Sequence, residues 1–172
     1  GGCRGLCAAG PMVTVEPVNV LYQGVKPDDA PAILESLGNT PAEGLRCDTT
    51  MPFFTRQKRV VLELNGMLDP EEIDEYIAAG GFATFLNALT HMQPSEVIDV
   101  IRSSGLGGRG GAGYSTGLKW STVAKAGGQH KYIVCNGDEG DPGAFMDRSV
   151  MEDYPYRIIE GMLIGAYAIG AD

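Results

Sequence analysis

The sequence predicts an α/β fold, and three observations carry that expectation. An alternating apolar and polar run within residues 11–22 has the period of a strand. Capped apolar stripes between residues 69 and 103, and a strongly apolar stretch over 156–171, have the character of helices. A glycine-dense loop and an acidic loop, the second just past another β-rich run, interrupt the helical segments. Loops at the carboxyl ends of strands are where α/β proteins place ligands.

The first strand pair rests on Val13 and Val15 alternating with Thr14 and Glu16, a break at Pro17, and resumption at Val20-Leu21-Tyr22. Pro27-Asp28-Asp29 opens a short helix with Ile33, Leu34 and Leu37 on one face and Gly38-Asn39 as its stop. Residues 38–52 are polar, with two prolines, and form the best linker candidate. Val60-Val61-Leu62 reads as a short buried strand or extended apolar segment. Asp69-Pro70-Glu71-Glu72 reads as a helix start, with acids at the positive end of the dipole and Ile73, Tyr76 and Ile77 facing inward. Gly80-Gly81 ends that helix, and Phe82, Phe85, Leu86 and Leu89 mark a second. Gln93-Pro94-Ser95-Glu96 begins a third, with Val97, Val100 and Ile101 as its stripe. Lys131 to Cys135 reads as a strand, Asn136 to Gly143 as a loop, and Tyr156 to Ala171 as an apolar helix too short to span a membrane.

At 172 residues the chain has room for one domain or pieces of two. Hydrophobic residues are 44% and charged residues 20%, enough apolar surface to offset the entropy of ordering. The net charge of −9 speaks against nucleic acid as a partner, because a polyphosphate is held by basic patches. No apolar run is long enough for membrane insertion, and the N-terminus has no secretory pattern, so the expected location is cytoplasmic. The start at Gly1-Gly2-Cys3 and the stop at Asp172 suggest a piece of a longer polypeptide.

Seven glycines fall between Gly105 and Gly117. Two overlapping G-x-G-x-x-G matches lie there, but a helix rather than a strand precedes them, and the Gly-Lys-Ser/Thr ending of a P-loop is missing. Clustered glycines expose main-chain N–H groups and let a ligand approach closely. Arg109 and Lys119 bring positive charge, Tyr114 an aromatic face, and Trp120 an anchor to the core. The loop therefore points to a phosphate or flavin; a ligand-free flexible loop is the plainer reading. In the second loop Asp138, Glu139 and Asp141 suit ribose hydroxyls, amides and ring N–H groups. A hard-metal site and a solvated acidic turn are the alternatives, the former lacking the usual register. Cys3 and Cys7, in a C-x3-C among glycines, fit half of an iron–sulfur site or two small buried thiols. His91 and His130 lie outside both loops.

Ser104 to Trp120, followed by Cys135 to Arg148, resembles the NADH- and FMN-binding flavoprotein subunit of NADH:quinone oxidoreductase (complex I). It is most similar to relatives in NAD-dependent and electron-bifurcating iron-only hydrogenases and NAD-dependent formate dehydrogenases. Gly2 to Pro11 resembles the second half of the thioredoxin-like 2Fe–2S domain of those relatives, and Pro52 to Val60 their connecting segment. The resemblance implies a partial thioredoxin-like 2Fe–2S domain over 1–47, a linker and helical connector over 48–93, and the first part of a Rossmann-like FMN/NADH-binding domain over 94–172.

It further implies that Gly108, Arg109, Gly110, Gly111 and Gly113 surround FMN and the NADH beside it, with Tyr114 over the nucleotide. Lys119 would reach the FMN phosphate, Asn136 and Asp138 the flavin's polar groups, and Glu139 and Asp141 the nicotinamide side. Tyr114 stands where the family usually has Phe, and Asp141 where many members have Glu. Cys3 and Cys7 would be two ligands of a 2Fe–2S cluster. A 4Fe–4S cluster belongs to a part of the family beyond residue 172. The implied activity is flavin-dependent NADH dehydrogenation that passes electrons to iron–sulfur subunits of a hydrogenase, formate dehydrogenase or complex-I-like assembly. No side chain is expected to act as a general acid or nucleophile. The alternatives are a non-catalytic iron–sulfur electron carrier and a P-loop-like mononucleotide module.

Overall fold

The structure is a computed structural model that describes residues 6–109, 112–141, 143 and 145–172, with Cys7 by its backbone alone. It is a helix-dominated α/β arrangement with a small two-stranded sheet. The chain divides into two compact units, one running through Val61 and one from Leu62.

The first unit is built on β1 (Val13–Val15) and β2 (Val20–Tyr22), antiparallel with Val13 opposite Tyr22 and Val15 opposite Val20. Asn19 takes the left-handed conformation in the intervening turn, which its short polar side chain tolerates. Leu21 and Tyr22 are almost fully buried, with Ile33 and Cys47 beside them among the buried residues. The Tyr22 hydroxyl donates to Ser36 Oγ (2.9 Å), which itself donates to the Ile33 carbonyl, and accepts from the Ala42 amide (3.3 Å). The polar stretch 38–52 is not a free linker throughout: Gln23 N donates to Leu45 O and Cys47 N to Leu21 O, so residues 45–47 return to the edge of β2. Helix α1 (Ala30–Glu35) follows a 3-10 turn at Pro27–Asp29. It buries only Ile33; Leu34 and Leu37 are exposed. Helix α2 (Pro52–Thr55) is a single turn.

The second unit is helical. The expected strand at Val60-Val61-Leu62 is absent: Val60 and Val61 are exposed and the segment turns. Helix α3 (Ile73–Ala78) begins after the Asp69–Glu72 turn rather than within it, and buries Tyr76 but neither Ile73 nor Ile77. The turn at Gly80 (φ +94°) needs a residue without Cβ, and the Tyr76 ring lies where a Gly81 side chain would be. Helix α4 (Ala83–His91) buries Ala88 and leaves Leu86 and Leu89 exposed. Helix α5 (Pro94–Ser103) starts with proline at its first position, and Glu96 accepts from the Gln93 amide (2.6 Å). Its buried pair is Val97 and Ile98, one step round from the expected stripe, and Val100 is exposed.

Helix α6 (Thr116–Lys125) follows the glycine loop, α7 (Met146–Asp153) the acidic loop, and α8 (Pro155–Ile169) closes the unit. Gly170 (φ +69°) ends α8, and Ala171 N returns to Ala166 O as in a Schellman motif. The core joins Ala88, Val97, Ile98 and Ala168, with Trp120, Ala124, Ile164 and Tyr167 against it. Trp120 thus ties the helix after the glycine loop to the core. No helix of the described residues is long and apolar enough to cross a membrane.

Residues 131–135 carry strand-like side chains but form no strand. A strand persists only within a ladder, and among the described residues nothing pairs with this one.

Candidate functional site

The glycine loop is the turn of a helical hairpin. Helices α5 and α6 run antiparallel, because Gly117 at the start of α6 abuts Arg102 at the end of α5, and Ile98 shares a cavity wall with Ala124 further along. A Cβ on Gly117 would lie 2.5 Å from Arg102 Cα, so the close approach depends on that glycine. The loop is clasped at its base by Gly108 N to Tyr114 O (2.8 Å) and Thr116 N to Leu106 O (2.9 Å), with Gly107 bridging Ser115. Ser115 Oγ caps α6 by accepting from Leu118 N (3.3 Å). Gly107 leaves no room for a side chain, since a Cβ there would meet Gly113 O at 2.8 Å.

This clasp pushes the tip out. Gly108, Arg109, Gly113 and Tyr114 are exposed, as is Lys119 in the first turn of α6. Neither Arg109 nor Lys119 forms an ion pair among the described residues. Gly110 and Gly111, expected in the same loop, lie outside the described residues.

The acidic loop is held from its far side. Asn136 Oδ1 accepts from Asp138 N (2.9 Å), an Asx turn that leaves the Asp138 carboxylate exposed. Glu139 is half-buried, and its two oxygens accept from Asp147 N (2.8 Å) and Arg148 N (3.2 Å). It therefore caps α7, whose own N-cap position is Phe145 in the left-handed conformation. Gly137 packs against Met151, whose Sδ would sit 2.3 Å from a Cβ there. Asp141 is exposed. Among the described residues no three His, Cys, Asp or Glu side chains converge as a metal cage would require.

Contacts along residues 131–137 show where the second loop is delivered. Lys131 Nζ donates to Ala124 O (2.9 Å) and Ile169 O (3.1 Å), at the C-terminal ends of α6 and α8. Two residues on, Ile133 and Trp120 both flank Gly165, one turn back along both helices. Residues 131–133 therefore run antiparallel to α6 and α8. Beyond Ile133 the chain passes to α7, where Gly137 packs against Met151. Sequence spacing carried no sign of this course; it follows from the contacts of Lys131, Ile133 and Gly137.

Two cavities lie elsewhere. One of about 320 Å³ is bounded by Tyr76, Tyr154, Arg157 and Glu160. The other, of about 630 Å³, runs along α5 from Pro94 to Arg102, with Ser121, Lys125 and Gly170 also lining it. Glu160, which sequence reasoning passed over, accepts from Tyr76 Oη (2.5 Å), Phe82 N (3.0 Å) and Phe85 N (3.2 Å), and so caps α4. Burial and the Glu160 hydrogen bond hold the Tyr76 hydroxyl well above the ordinary tyrosine range. His130 bonds Asp172 (2.6 Å), away from both loops. Cys3 and the Cys7 side chain lie outside the described residues, Cys47 is buried and Cys135 is exposed.

Comparison with known proteins places this geometry in context. Residues 101–172 match the family model of the Nuo51 FMN-binding domain. The chain is 50% identical over 116 residues to the NADP-reducing hydrogenase subunit HndC of Solidesulfovibrio fructosivorans, covering 67% of this chain and 23% of that protein. It is 48% identical over 104 residues to an NADH-quinone oxidoreductase subunit of Rhizobium meliloti, covering 60% and 25%. To an NADH-quinone oxidoreductase subunit of Escherichia coli it is 45% identical over 103 residues, covering 59% and 23%. The crystal structure of an NAD+-reducing [NiFe]-hydrogenase in the H2-reduced state superposes on 99% of this chain and 28% of its own, with a TM-score of 0.50 and 25% identity. The chain therefore spans about a quarter of the length of the relatives it matches.

Proposed function

We propose, on the premise that residues 101–172 belong to the Nuo51 FMN-binding domain family, that this chain forms part of a flavin-dependent NADH dehydrogenase module within a larger oxidoreductase. The observation that carries this reading is that the clasped glycine loop and the capped acidic loop both lie inside the segment that matches the family.

The residues present fit FMN. Exposed Arg109 and Lys119, without ion pairs among the described residues, suit a phosphate. Main-chain amides in a glycine-rich loop suit a flat ring at van der Waals distance. The side chains of Asn136 and Asp138 suit its polar edge. Gly108, Arg109, Gly110, Gly111 and Gly113 surround the flavin in this reading, Tyr114 lies over the nucleotide, and Lys119 holds the phosphate. Glu139 and Asp141 serve the nicotinamide side. The Glu139 oxygens that cap α7 retain lone pairs for a second donor. Bound FMN would supply the two-electron to one-electron conversion between NADH and iron–sulfur clusters. The chain's own work is orientation: a clasped loop on one side, a capped loop on the other, and no side chain required to move a proton.

The same reading assigns residues 1–47 to a partial thioredoxin-like 2Fe–2S domain with Cys3 and Cys7 as two ligands, 48–93 to a connector, and 94–172 to the start of a Rossmann-like FMN/NADH domain. It places a 4Fe–4S cluster elsewhere in the complete polypeptide, iron–sulfur subunits of a hydrogenase, formate dehydrogenase or complex-I-like assembly as partners, and the whole in the cytoplasm. The test is flavin retention by the full-length protein. Arg109→Ala and Lys119→Ala should each purify with less FMN than the parent; full occupancy in both overturns the assignment.

A further inference from the structure

The following rests on the flavin reading above and deepens it. We infer that Lys131 is the positioning residue that sets where the segment leading into the acidic loop lies along α6 and α8. Residues 131–135 belong to no sheet among the described residues, so no ladder fixes how far along α6 they lie. The segment nonetheless alternates as a strand does. Ile133 faces Trp120 and Gly165, whereas Tyr132 and Val134 are 71% and 81% exposed. An apolar contact at one residue resists a slip of the chain only weakly, because it has no direction.

Lys131 supplies the directional contact. Its ammonium lies between two helix C-termini, where the last carbonyls lack helical partners and the dipoles are negative. Ala124 O and Ile169 O belong to different helices, so the ammonium also ties α6 to α8 at that level. The Lys131 carbonyl accepts from Asp172 N (3.2 Å), which holds the main chain at the same point. The far end of the segment is fixed by Glu139 on α7. Lys131 and Glu139 thus anchor the two ends of one span, and the Asn136–Asp138 turn lies within it.

The experiment uses the full-length polypeptide and two variants. Lys131→Met keeps the aliphatic stem and removes the donors; Lys131→Arg keeps a cation able to reach two carbonyls. In Lys131→Met, amide hydrogen exchange over 136–141 should quicken while the core amides of α5, α6 and α8 keep their protection. FMN affinity, read by flavin fluorescence on titration, should fall on the order of tenfold, the weight of a charge-assisted hydrogen bond. Lys131→Arg should restore both. Unchanged exchange over 136–141 in Lys131→Met overturns the inference. So does equal loss of protection across all the helices, or failure to fold, either of which assigns Lys131 to stability alone. A parent protein that binds no FMN overturns the flavin reading instead, and the exchange comparison, which needs no flavin, still decides whether Lys131 sets the loop.

Discussion

Replacing Gly117 by alanine tests the hinge of the helical hairpin. In a helix interior the exchange adds up to about 1 kcal/mol of stability through backbone propensity. Here a Cβ would lie 2.5 Å from Arg102 Cα, 2.6 Å from its N and 2.7 Å from its Cβ. Ordinary carbon contacts are about 3.5–4.0 Å, so α5 and α6 must part by about 1 Å. The obstruction is main chain, which has no rotamer to escape into. Overpacking of this kind costs about 1–3 kcal/mol, and a main-chain clash belongs at the upper end. The net expectation is a loss of about 2 kcal/mol, or a fall in Tm of about 4–8 °C for a chain of this size. Gly161→Ala is the matched control, in mid-helix with nothing within 4 Å of its added Cβ. It should gain about 0.5–1 kcal/mol. Urea unfolding of parent and both variants gives the comparison, with the denaturant slope checked for constancy. A Gly117→Ala protein as stable as the parent would refute the close approach of the two helices, and with it the clasped base of the glycine loop.

Three further outcomes are expected. Glu160→Gln should lower the unfolding free energy by about 1–3 kcal/mol, since α4 loses an anionic cap and one of the two acceptor oxygens shared by Tyr76, Phe82 and Phe85 becomes an NH2 donor; a urea midpoint equal to the parent's would contradict the capping role. Burial first, and the Glu160 hydrogen bond second, raise the Tyr76 pKa, so its contribution is whole below the ordinary value of 10.0 and lost as pH rises above it. Tyr76→Phe should therefore flatten the alkaline limb of Tm against pH, and an unchanged limb would sink the assignment. Asp48 behaves in the opposite sense. The Thr50 hydroxyl, then its amide, lower the Asp48 pKa, so the bond stabilises above the ordinary 3.8 and weakens as pH falls below it. Asp48 titration followed by NMR should move back toward the ordinary value in Thr50→Val.

The features legible in the residues alone were local. The pairing of Val13–Val15 with Val20–Tyr22 follows from alternation around a turn. The start of α5 follows from proline at its first helical position and the turn between α5 and α6 from its glycines, whereas the last helix, expected over 156–171, runs from Pro155 to Ile169.

Three other features arise only when distant segments meet. Helices α4 and α7 begin at left-handed phenylalanines with no side-chain cap of their own; Glu160 and Glu139 cap them from other segments. Residues 131–135 have strand chemistry, but a strand is a property of a ladder and no partner is present among the described residues. Apolar periodicity placed the helices without fixing which face turned inward, so Val97 and Ile98 are buried where Val100 was expected to join them. The reason is common to all three. A turn or a cap signal needs only adjacent residues, whereas a buried face, a borrowed carboxylate and a strand's partner depend on which distant segments arrive there.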